Sequence, residues 1–272
     1  MLKSLANSYT GLRAHRQLLD VTAHNLANVN TIAFRERQVS FRELPYRDLA
    51  ERRLPVTGQS PLVPRSGRGV ELSGIVPSCG KGALTFTGQG LDLAIEGEGY
   101  LRVVRPDGSY AFTRAGNFSL NAEGNMVTSK GARLDLSLDH FDNIDPSTLE
   151  IRPGGEIYAC LFQAGSMERE NHLSAEPVRV GELRLYNFTN PQGLSAIGEN
   201  LLLPSAASGP PMEGRAGEEG FGEIRQGFLE GAGVDLSQQM VMLIRGQRAL
   251  QASARTASAA DDLWALTLNV QA

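Results

Sequence analysis

The stretch VDLSQQMVMLIRGQRALQASARTASAADDLWALTLNVQA, residues 234–272, decides the fold because it carries one sustained helical pattern. Asp235 is placed to cap a helix, and no proline follows it in the stretch. Apolar residues recur at alternating steps of four and three, the spacing of a coiled-coil seam. The seam positions are Leu236, Met240, Leu243, Gln247, Leu250, Ala254, Ala257, Asp261, Trp264 and Leu268. A helix of this length, about 50 Å at 1.5 Å per residue, needs a partner along its whole length.

The start of the chain shows the same spacing, with one polar exception at Arg16. Its positions are Leu2, Leu5, Tyr9, Leu12, Arg16, Leu19, Ala23 and Leu26. Asn25, Asn28 and Asn30 follow and indicate a helix end and a tight turn, because asparagine tolerates the left-handed conformation. Two explanations fit: the terminal helices meet each other, or each packs on a central domain as an ordinary amphipathic helix. Small residues beside the C-terminal seam favour a bundle made of several chains.

Composition indicates an ordinary soluble protein of 272 residues with 41% hydrophobic residues and a net charge of −4. The 26 basic residues are scattered and outnumbered by 30 acidic ones, so we expect no nucleic-acid partner. Cys79 and Cys160 are the only cysteines; one disulfide and two separate thiols both fit, and the length of the chain favours separate thiols. No apolar run approaches the roughly 20 residues that span a bilayer, and the N-terminus lacks the pattern of a cleaved signal peptide.

Between the terminal segments the pattern changes from connector to β-structure. Residues 34–79 lose their periodicity and are rich in proline and glycine, which predicts an extended connector. From residue 80 to 233 short strands are separated by turn residues: a half-buried strand at 91–96, a hairpin around Pro106-Asp107-Gly108, and a second hairpin around 121–125. Further strands are predicted at 149–152, 157–162 and 180–188, whereas 204–222 is predicted to be loop.

The sequence thus predicts an α+β protein with three parts. Residues 1–33 and 234–272 form a discontinuous helical domain, 34–79 a connector, and 80–233 a mainly antiparallel β domain of the sandwich or barrel type.

The search for catalytic chemistry finds no complete motif, so we expect neither an enzyme nor a cofactor, metal or small-molecule substrate. Asp139, Asp142 and Asp145 surround His140, but their spacing of three is wrong for a calcium loop, and a solvated acidic loop is the preferred interpretation. No histidine has a second ligand at i+4, and no serine lies in a nucleophile elbow.

Several runs of residues resemble the axial family of bacterial flagellar rod and hook proteins. Asn25-Leu26-Ala27-Asn28 with Thr31 and Phe34 is similar to the N-terminal signature of that family. The segments 91–100 and Thr113-Arg114-Ala115-Gly116-Asn117-Phe118 are similar to the central strands of its rod members. Gln226-Gly227-Phe228-Leu229-Glu230-Gly231 resembles the C-terminal signature. One departure is Ala33, where the family usually has glycine; if that position needs a positive φ, alanine costs about 1 kcal/mol.

The resemblance implies a structural subunit of the flagellar basal-body rod, of the distal-rod type, that self-assembles into a helical axial structure and transmits torque to the hook. Its partners would be itself, neighbouring rod and hook subunits, and the type III export apparatus, which would carry it out of the cytoplasm without a cleaved signal. The terminal helices would pair as an inner coiled-coil tube, mobile in the monomer, with the β domain outside. The expected assembly contacts are Leu5, Leu12, Leu19, Asn25, Leu26, Asn28, Leu236, Met240, Leu243, Gln247, Leu250 and Trp264. Arg16, Gln247 and Asp261 are expected to fix the register of the seam.

Two alternatives remain at this point. Within the family, the chain could be a proximal-rod subunit or another hook-basal-body paralogue. In a different class, it could be a secreted β-sandwich module that binds cell walls and uses its helices only to oligomerise.

Overall fold

A computed structural model describes residues 2–48, 65–138, 148–160 and 177–270. Two helices and mostly antiparallel strands make it an α+β protein. The elements, in chain order, are α1 (Leu2–Ala27), β1 (Arg37–Glu43), β2 (Arg47–Asp48), β3 (Arg65–Ser66), β4 (Val70–Pro77), β5 (Leu84–Phe86), β6 (Leu93–Glu96), β7 (Tyr100–Val104), β8 (Tyr110–Thr113), β9 (Ser119–Leu120), β10 (Met126–Val127), β11 (Arg133–Leu134), β12 (Ser137–Leu138), β13 (Glu150–Ile151), β14 (Glu156–Ala159), β15 (Val178–Glu182), β16 (Arg184–Asn187), a 3-10 turn (Pro191–Gly193), β17 (Ser195–Gly198), β18 (Leu201–Leu203), β19 (Met212–Arg215), β20 (Glu223–Gln226), β21 (Phe228–Glu230) and α2 (Leu236–Val270).

By their internal contacts these elements form two compact units. Among the described residues, the helical unit comprises 2–29, 36–48, 65–78 and 234–270, and the β unit comprises 30–35, 79–138, 148–160 and 177–233. The domain boundaries expected from the sequence stay a prediction.

In the helical unit, α1 packs against both α2 and a ribbon of β1 and β4. The ribbon is antiparallel, from Arg37 opposite Pro77 to Glu43 opposite Val70, so the segment predicted as a connector contains paired strands. Gly69 precedes β4 with a φ of 99°, and a Cβ built there would lie 2.1 Å from the hydroxyl oxygen of Thr10 on α1. Only glycine therefore allows the ribbon to approach the helix this closely.

The helix ends follow the sequence signals. The Asp235 carboxylate accepts hydrogen bonds from the backbone N–H groups of Ser237 (2.8 Å) and Gln238 (3.2 Å), which confirms the predicted N-cap of α2. Helix α1 ends at Ala27, inside the predicted asparagine-rich turn. Of the two helices that the structure describes, neither is both long and apolar enough to cross a membrane.

In the β unit, nine strands form the largest sheet, in the order β17-β18-β8-β7-β11-β10-β9, with β16 on β7 and β19 on β16. A four-stranded sheet has the order β12-β15-β14-β13, and two further pairs join β6 to β20 and β5 to β21. All of these strand pairs are antiparallel; an isolated bridge between Arg35 and Gly233 is parallel. Both predicted hairpins are confirmed, and Gly108 and Gly124 adopt φ values of 80° and 81° in their turns.

One apolar core joins these sheets. Leu101 and Leu185 come from the nine-stranded sheet, Ile157 from the four-stranded sheet, and Leu93 and Ile224 from the β6–β20 pair. Each of the five is at most 1% exposed. Burying a side chain of this size contributes about 1.5–3 kcal/mol, so the core holds the separate sheets together.

Three strand predictions need correction. The strand at 91–96 was expected to be half-buried, but Leu93, Ala94 and Ile95 are all buried because both faces of β6 are covered. Residues 180–188 form two strands in different sheets, β15 and β16, separated at the fully buried Leu183. The predicted loop 204–222 contains β19, which pairs with β16.

Candidate assembly interface

Helices α1 and α2 run antiparallel in a regular register. The Ser8 and Thr256 hydroxyl oxygens lie 3.3 Å apart, and the Asn25 amide donates to the Gln239 side-chain oxygen at 3.3 Å. Between these two contacts, a Cβ built on Gly246 would meet the Leu19 side chain at 2.9 Å. Each step forward along α1 is thus matched by an equal step back along α2.

The surface of α2 that packs inside the chain is shifted from the predicted seam. Within 236–265, the residues that are not exposed are Gln239, Leu243, Gly246, Ala249, Leu250, Ser253, Ala257 and Ala260. Except for Ala249, they repeat at steps of four and three, which is the heptad spacing of closely packed helices. This spacing shares Leu243, Leu250 and Ala257 with the predicted seam, but its other positions are shifted by one residue. Three of the shifted positions hold the small residues Gly246, Ser253 and Ala260, which allow the two backbones to approach each other.

Asn25 is the polar centre of this unit and is 2% exposed. Its side-chain amide donates to the Arg37 carbonyl oxygen at 2.9 Å, and its side-chain oxygen accepts from the Arg37 backbone N–H at 2.9 Å. The amide of Gln239, itself 1% exposed, donates to the Glu36 carboxylate at 2.9 Å. Asn25 therefore bonds to β1 as a neighbouring strand would, and it links the end of α1 to the starts of β1 and α2. A buried polar group that needs specific partners disfavours other alignments of the helices.

The residues predicted as assembly contacts fall into two groups. Asn25 is buried and Leu12, Leu19, Leu26, Asn28, Leu243 and Leu250 are half-buried, whereas Leu5, Leu236, Met240, Gln247 and Trp264 are exposed. The expected register residues Arg16, Gln247 and Asp261 are exposed as well, and Arg16 lies 4.0 Å from Asp20 of its own helix. A role for these residues between chains stays a prediction. Inside the chain, Asn25 and Gln239 are the buried polar pair.

The outer surface of α2 carries several large apolar side chains in contact with solvent. Met240 is 53% exposed, Val241 47% and Ile244 48%, and Leu263 near the other end is 54% exposed. A row of exposed apolar side chains on one helix is unusual for a protein that remains alone in solution. This surface has the properties of an interface that another molecule covers.

In the β unit, sequence reasoning missed a buried ion cluster centred on Glu230, which is 1% exposed. One carboxylate oxygen of Glu230 accepts from Arg114 Nε at 2.7 Å, and the other lies 2.9 Å from the Arg35 guanidinium and accepts from the Gly82 N–H at 3.1 Å. Arg114 also donates to the carbonyl oxygens of Gly99, Ile95 and Gly97 at 2.7–3.0 Å. We call Arg35, Gly82, Arg114 and Glu230 the Glu230 cluster.

Both oxygens of the Glu230 carboxylate are paired with groups of the protein itself, so the cluster acts as a structural tie. Burial lowers the pKa of Arg35, and the nearby Arg114 charge acts in the same direction while Glu230 opposes it. Arg114 and Glu230 both lie in runs that resemble the axial family, yet they are 116 positions apart. No local spacing links residues so distant, so only the folded chain reveals the pair.

The remaining candidates for chemistry give no site in the described residues. Asp139, His140, Asp142 and Asp145 lie outside them, and within them no group of three or more metal-ligating side chains comes together. Cys79 and Cys160 are not joined by a disulfide. The hydrogen bond from Lys81, with a nitrogen–oxygen distance of 2.6 Å, lowers the pKa of Glu98.

Comparison with known proteins identifies the class. The domain model described as the flagellar hook protein FlgE/F/G D1 domain matches residues 94–159, and the model described as the flagellar basal body rod FlgEFG protein C-terminal matches 225–270. The chain is 30% identical to the flagellar basal-body rod protein FlgG of Borreliella burgdorferi, covering 100% of this chain and 99% of that protein. It is 31% identical to FlgG of Bacillus subtilis, with complete coverage of both. FlgF of Mesorhizobium japonicum is 29% identical over 96% of both chains.

A chain with these helices, this β unit and these matches is an axial protein of the bacterial flagellum. It belongs to the family of flagellar basal-body rod proteins, is most like the distal-rod member FlgG, and is a structural subunit of the rod. The full-length matches do not favour the cell-wall-binding alternative.

Proposed function

We propose that this chain builds the rod by self-assembly through its helical unit, in which α1 and α2 act as a coiled-coil-like pair that neighbouring copies cover. The observation that carries the proposal is the row of exposed apolar side chains on α2: Met240, Val241 and Ile244. Burying apolar surface contributes about 25 cal/mol per Å², so covering this row by a second copy favours association. The assembled rod would transmit torque to the hook.

The proposal also covers the partners of the subunit and the route by which it leaves the cytoplasm. At the two ends of the rod segment that copies of this chain build, the subunit contacts other rod and hook proteins. It has no substrate and no catalytic role. Its place is the extracytoplasmic basal body, which it reaches through the type III export apparatus. A head-to-tail contact whose rotation does not close produces a helical filament, which suits an axial structure.

The predicted contacts divide into those that hold the helix pair and those that face a neighbour. Leu12 and Leu243 are half-buried in the helical unit, so Leu12→Asp with Leu243→Asp disturbs the pair itself, and assembly is lost while the β unit stays folded. Met240 is exposed, so Met240→Asp leaves the monomer intact and acts on assembly alone.

The deciding experiment measures self-association of the full chain by sedimentation, for the unaltered protein and for Met240→Asp. We expect the substitution to raise the concentration needed for association at least tenfold, because it places a charge in an apolar contact. Met212→Asp is the matched control, since Met212 is 47% exposed on the β unit. Equal association of Met240→Asp and the unaltered chain would show that this row does not face a neighbour.

A further inference from the structure

Five charged side chains on α2 have no ion-pair partner within the part of the chain that the structure describes. Arg245, Arg248 and Arg255 are basic, Asp261 and Asp262 are acidic, and all five are exposed. Arg245 and Arg248 are three residues apart, so their charges repel each other on the isolated helix. Two adjacent carboxylates and two adjacent guanidinium groups therefore stand on one helix without counter-charges.

The two charged pairs lie on different sides of α2. At 3.6 residues per turn, each residue advances by about 100°, so the Arg245–Arg248 pair and the Asp261–Asp262 pair are centred about 120° apart around the helix axis. Both centres point away from Gly246, which packs against Leu19 of α1. We call these two surfaces the basic flank and the acidic flank.

The two flanks cannot neutralise each other within one chain. They are about 15 residues apart along the helix, which is about 22 Å at 1.5 Å per residue. That distance exceeds the screening length of about 8 Å at physiological ionic strength. Surfaces of two parallel helices that face each other lie 180° apart, so a second helix must be parallel, displaced by the same 22 Å and turned by about 60° about its own axis. In that position one flank lies directly against the other.

We propose that the acidic flank of one copy of this chain docks against the basic flank of the next copy, with the two α2 helices parallel and displaced by about 22 Å. The inference rests on the proposed self-assembly and specifies which surfaces meet. Two carboxylates then face two guanidinium groups, and the exposed Val241 and Ile244 beside the arginines are covered in the same contact. Because the flanks differ, a docked pair of copies keeps one free flank of each sign, so the contact repeats and produces an open filament.

The test is a charge-reversal experiment on the full chain, with the association concentration measured by sedimentation. Reversing one flank by Arg245→Glu with Arg248→Glu should raise that concentration about tenfold, since two attractive pairs become repulsive. Asp261→Arg with Asp262→Arg should do the same. Combining the four substitutions should restore association to within about threefold of the unaltered chain, because the flanks are complementary again.

Arg255→Glu is the matched control: it makes the same charge change on the same helix, but at the proposed displacement no acidic residue faces it. It should leave the association concentration within about twofold. Helical circular dichroism checks that each variant keeps α2. A quadruple variant no better than either double variant, or an Arg255→Glu effect as large as theirs, overturns the proposed contact while self-assembly stands. Failure of the unaltered chain to associate overturns the proposed function together with the contact.

Chemical cross-linking tests the contact between the two flanks directly. Arg248→Lys keeps the charge and supplies an amine that a carbodiimide joins to a carboxylate in contact with it. We expect a covalent link between Lys at this position and Asp261 or Asp262 of another copy, identified by mass spectrometry. If an associated sample gives links from this position only to other acidic residues, the pairing of the two flanks is wrong.

Discussion

Ala33 has a φ of 55° and is 8% exposed, so an L-residue is held in the left-handed region inside the β unit. Its N–H donates to the Glu230 carbonyl oxygen at 2.8 Å, and the Gly233 N–H donates to the neighbouring Phe34 carbonyl oxygen at 2.9 Å. These hydrogen bonds hold the backbone in place. Position 33 therefore needs a positive φ, which agrees with the glycine that the axial family usually has there.

Ala33→Gly should stabilise the β unit by up to about 1 kcal/mol. Glycine has no Cβ to strain the left-handed conformation, although it gains some freedom in the unfolded chain. Urea unfolding at pH 7 measures the change. Ala111→Gly is the control: Ala111 is fully buried in β8, so the same substitution there should destabilise the unit. A loss of stability on Ala33→Gly would mean that the Cβ of Ala33 contributes more by packing than it costs in strain.

At the scale of single elements, the sequence was informative wherever the signal was local. The Asp235 cap, the turn at Gly108 and the repeating apolar positions of the helices each depend on residues within one or two turns of one another. Partners distant in sequence were not predictable. Strand β19 lies in a segment rich in glycine and proline and exists because β16 pairs with it. Likewise, nothing local distinguishes an exposed Met240 from a half-buried Leu243 when both fit a heptad.

Two glycines inside the helices test how closely α1 and α2 pack. A Cβ on Gly11 would lie 3.7 Å from Ser253 Oγ, an ordinary contact, whereas one on Gly246 would lie 2.9 Å from Leu19 Cδ2. Both substitutions to alanine gain about 1 kcal/mol of helix propensity. Gly11→Ala should keep that gain, and Gly246→Ala should lose most of it because Leu19 must move. Thermal melting of helical ellipticity compares the two. Equal gains would show that the helices have room to spare at Gly246.

At the scale of the whole molecule, the Glu230 cluster ties together segments from opposite ends of the β unit's sequence. Arg35 lies near the start of this unit's sequence and Glu230 near its end. Arg114 directly follows β8, between the other two in sequence. Two of the motifs that resemble the axial family therefore meet in the folded chain, since Arg114 lies in one and Glu230 in the other. The order of these motifs along the chain is visible in the sequence, but the contact between Arg114 and Glu230 is visible only in the folded chain.

Glu230→Gln should destabilise the β unit by about 3–5 kcal/mol, because the buried Arg114 guanidinium and the half-buried Arg35 guanidinium lose their counter-charge. Glu213→Gln is the control: it also removes a carboxylate paired with an arginine, Arg184, but that pair is exposed. The control should cost less than about 1 kcal/mol. Urea unfolding followed by near-UV circular dichroism measures both. Similar small losses for the two variants would mean that water reaches the Glu230 cluster.

The antiparallel pairing of α1 with α2 has a kinetic consequence. The helices are separated by more than 200 residues of chain, so their contact is among the most distant in the sequence. Once the hydrogen bonds between residues 33–34 and 230–233 have formed, only residues 28–32 and 234–235 lie between these bonds and the helix ends, so the pairing of the helices closes a loop of fewer than ten residues. Shortening the loop to this extent removes about 2–3 kcal/mol of closure entropy. A loop of ten residues closes in about 10–100 ns, so the helices should meet as a near-local hairpin after the β unit has folded, and the order of folding runs from the middle of the chain outward.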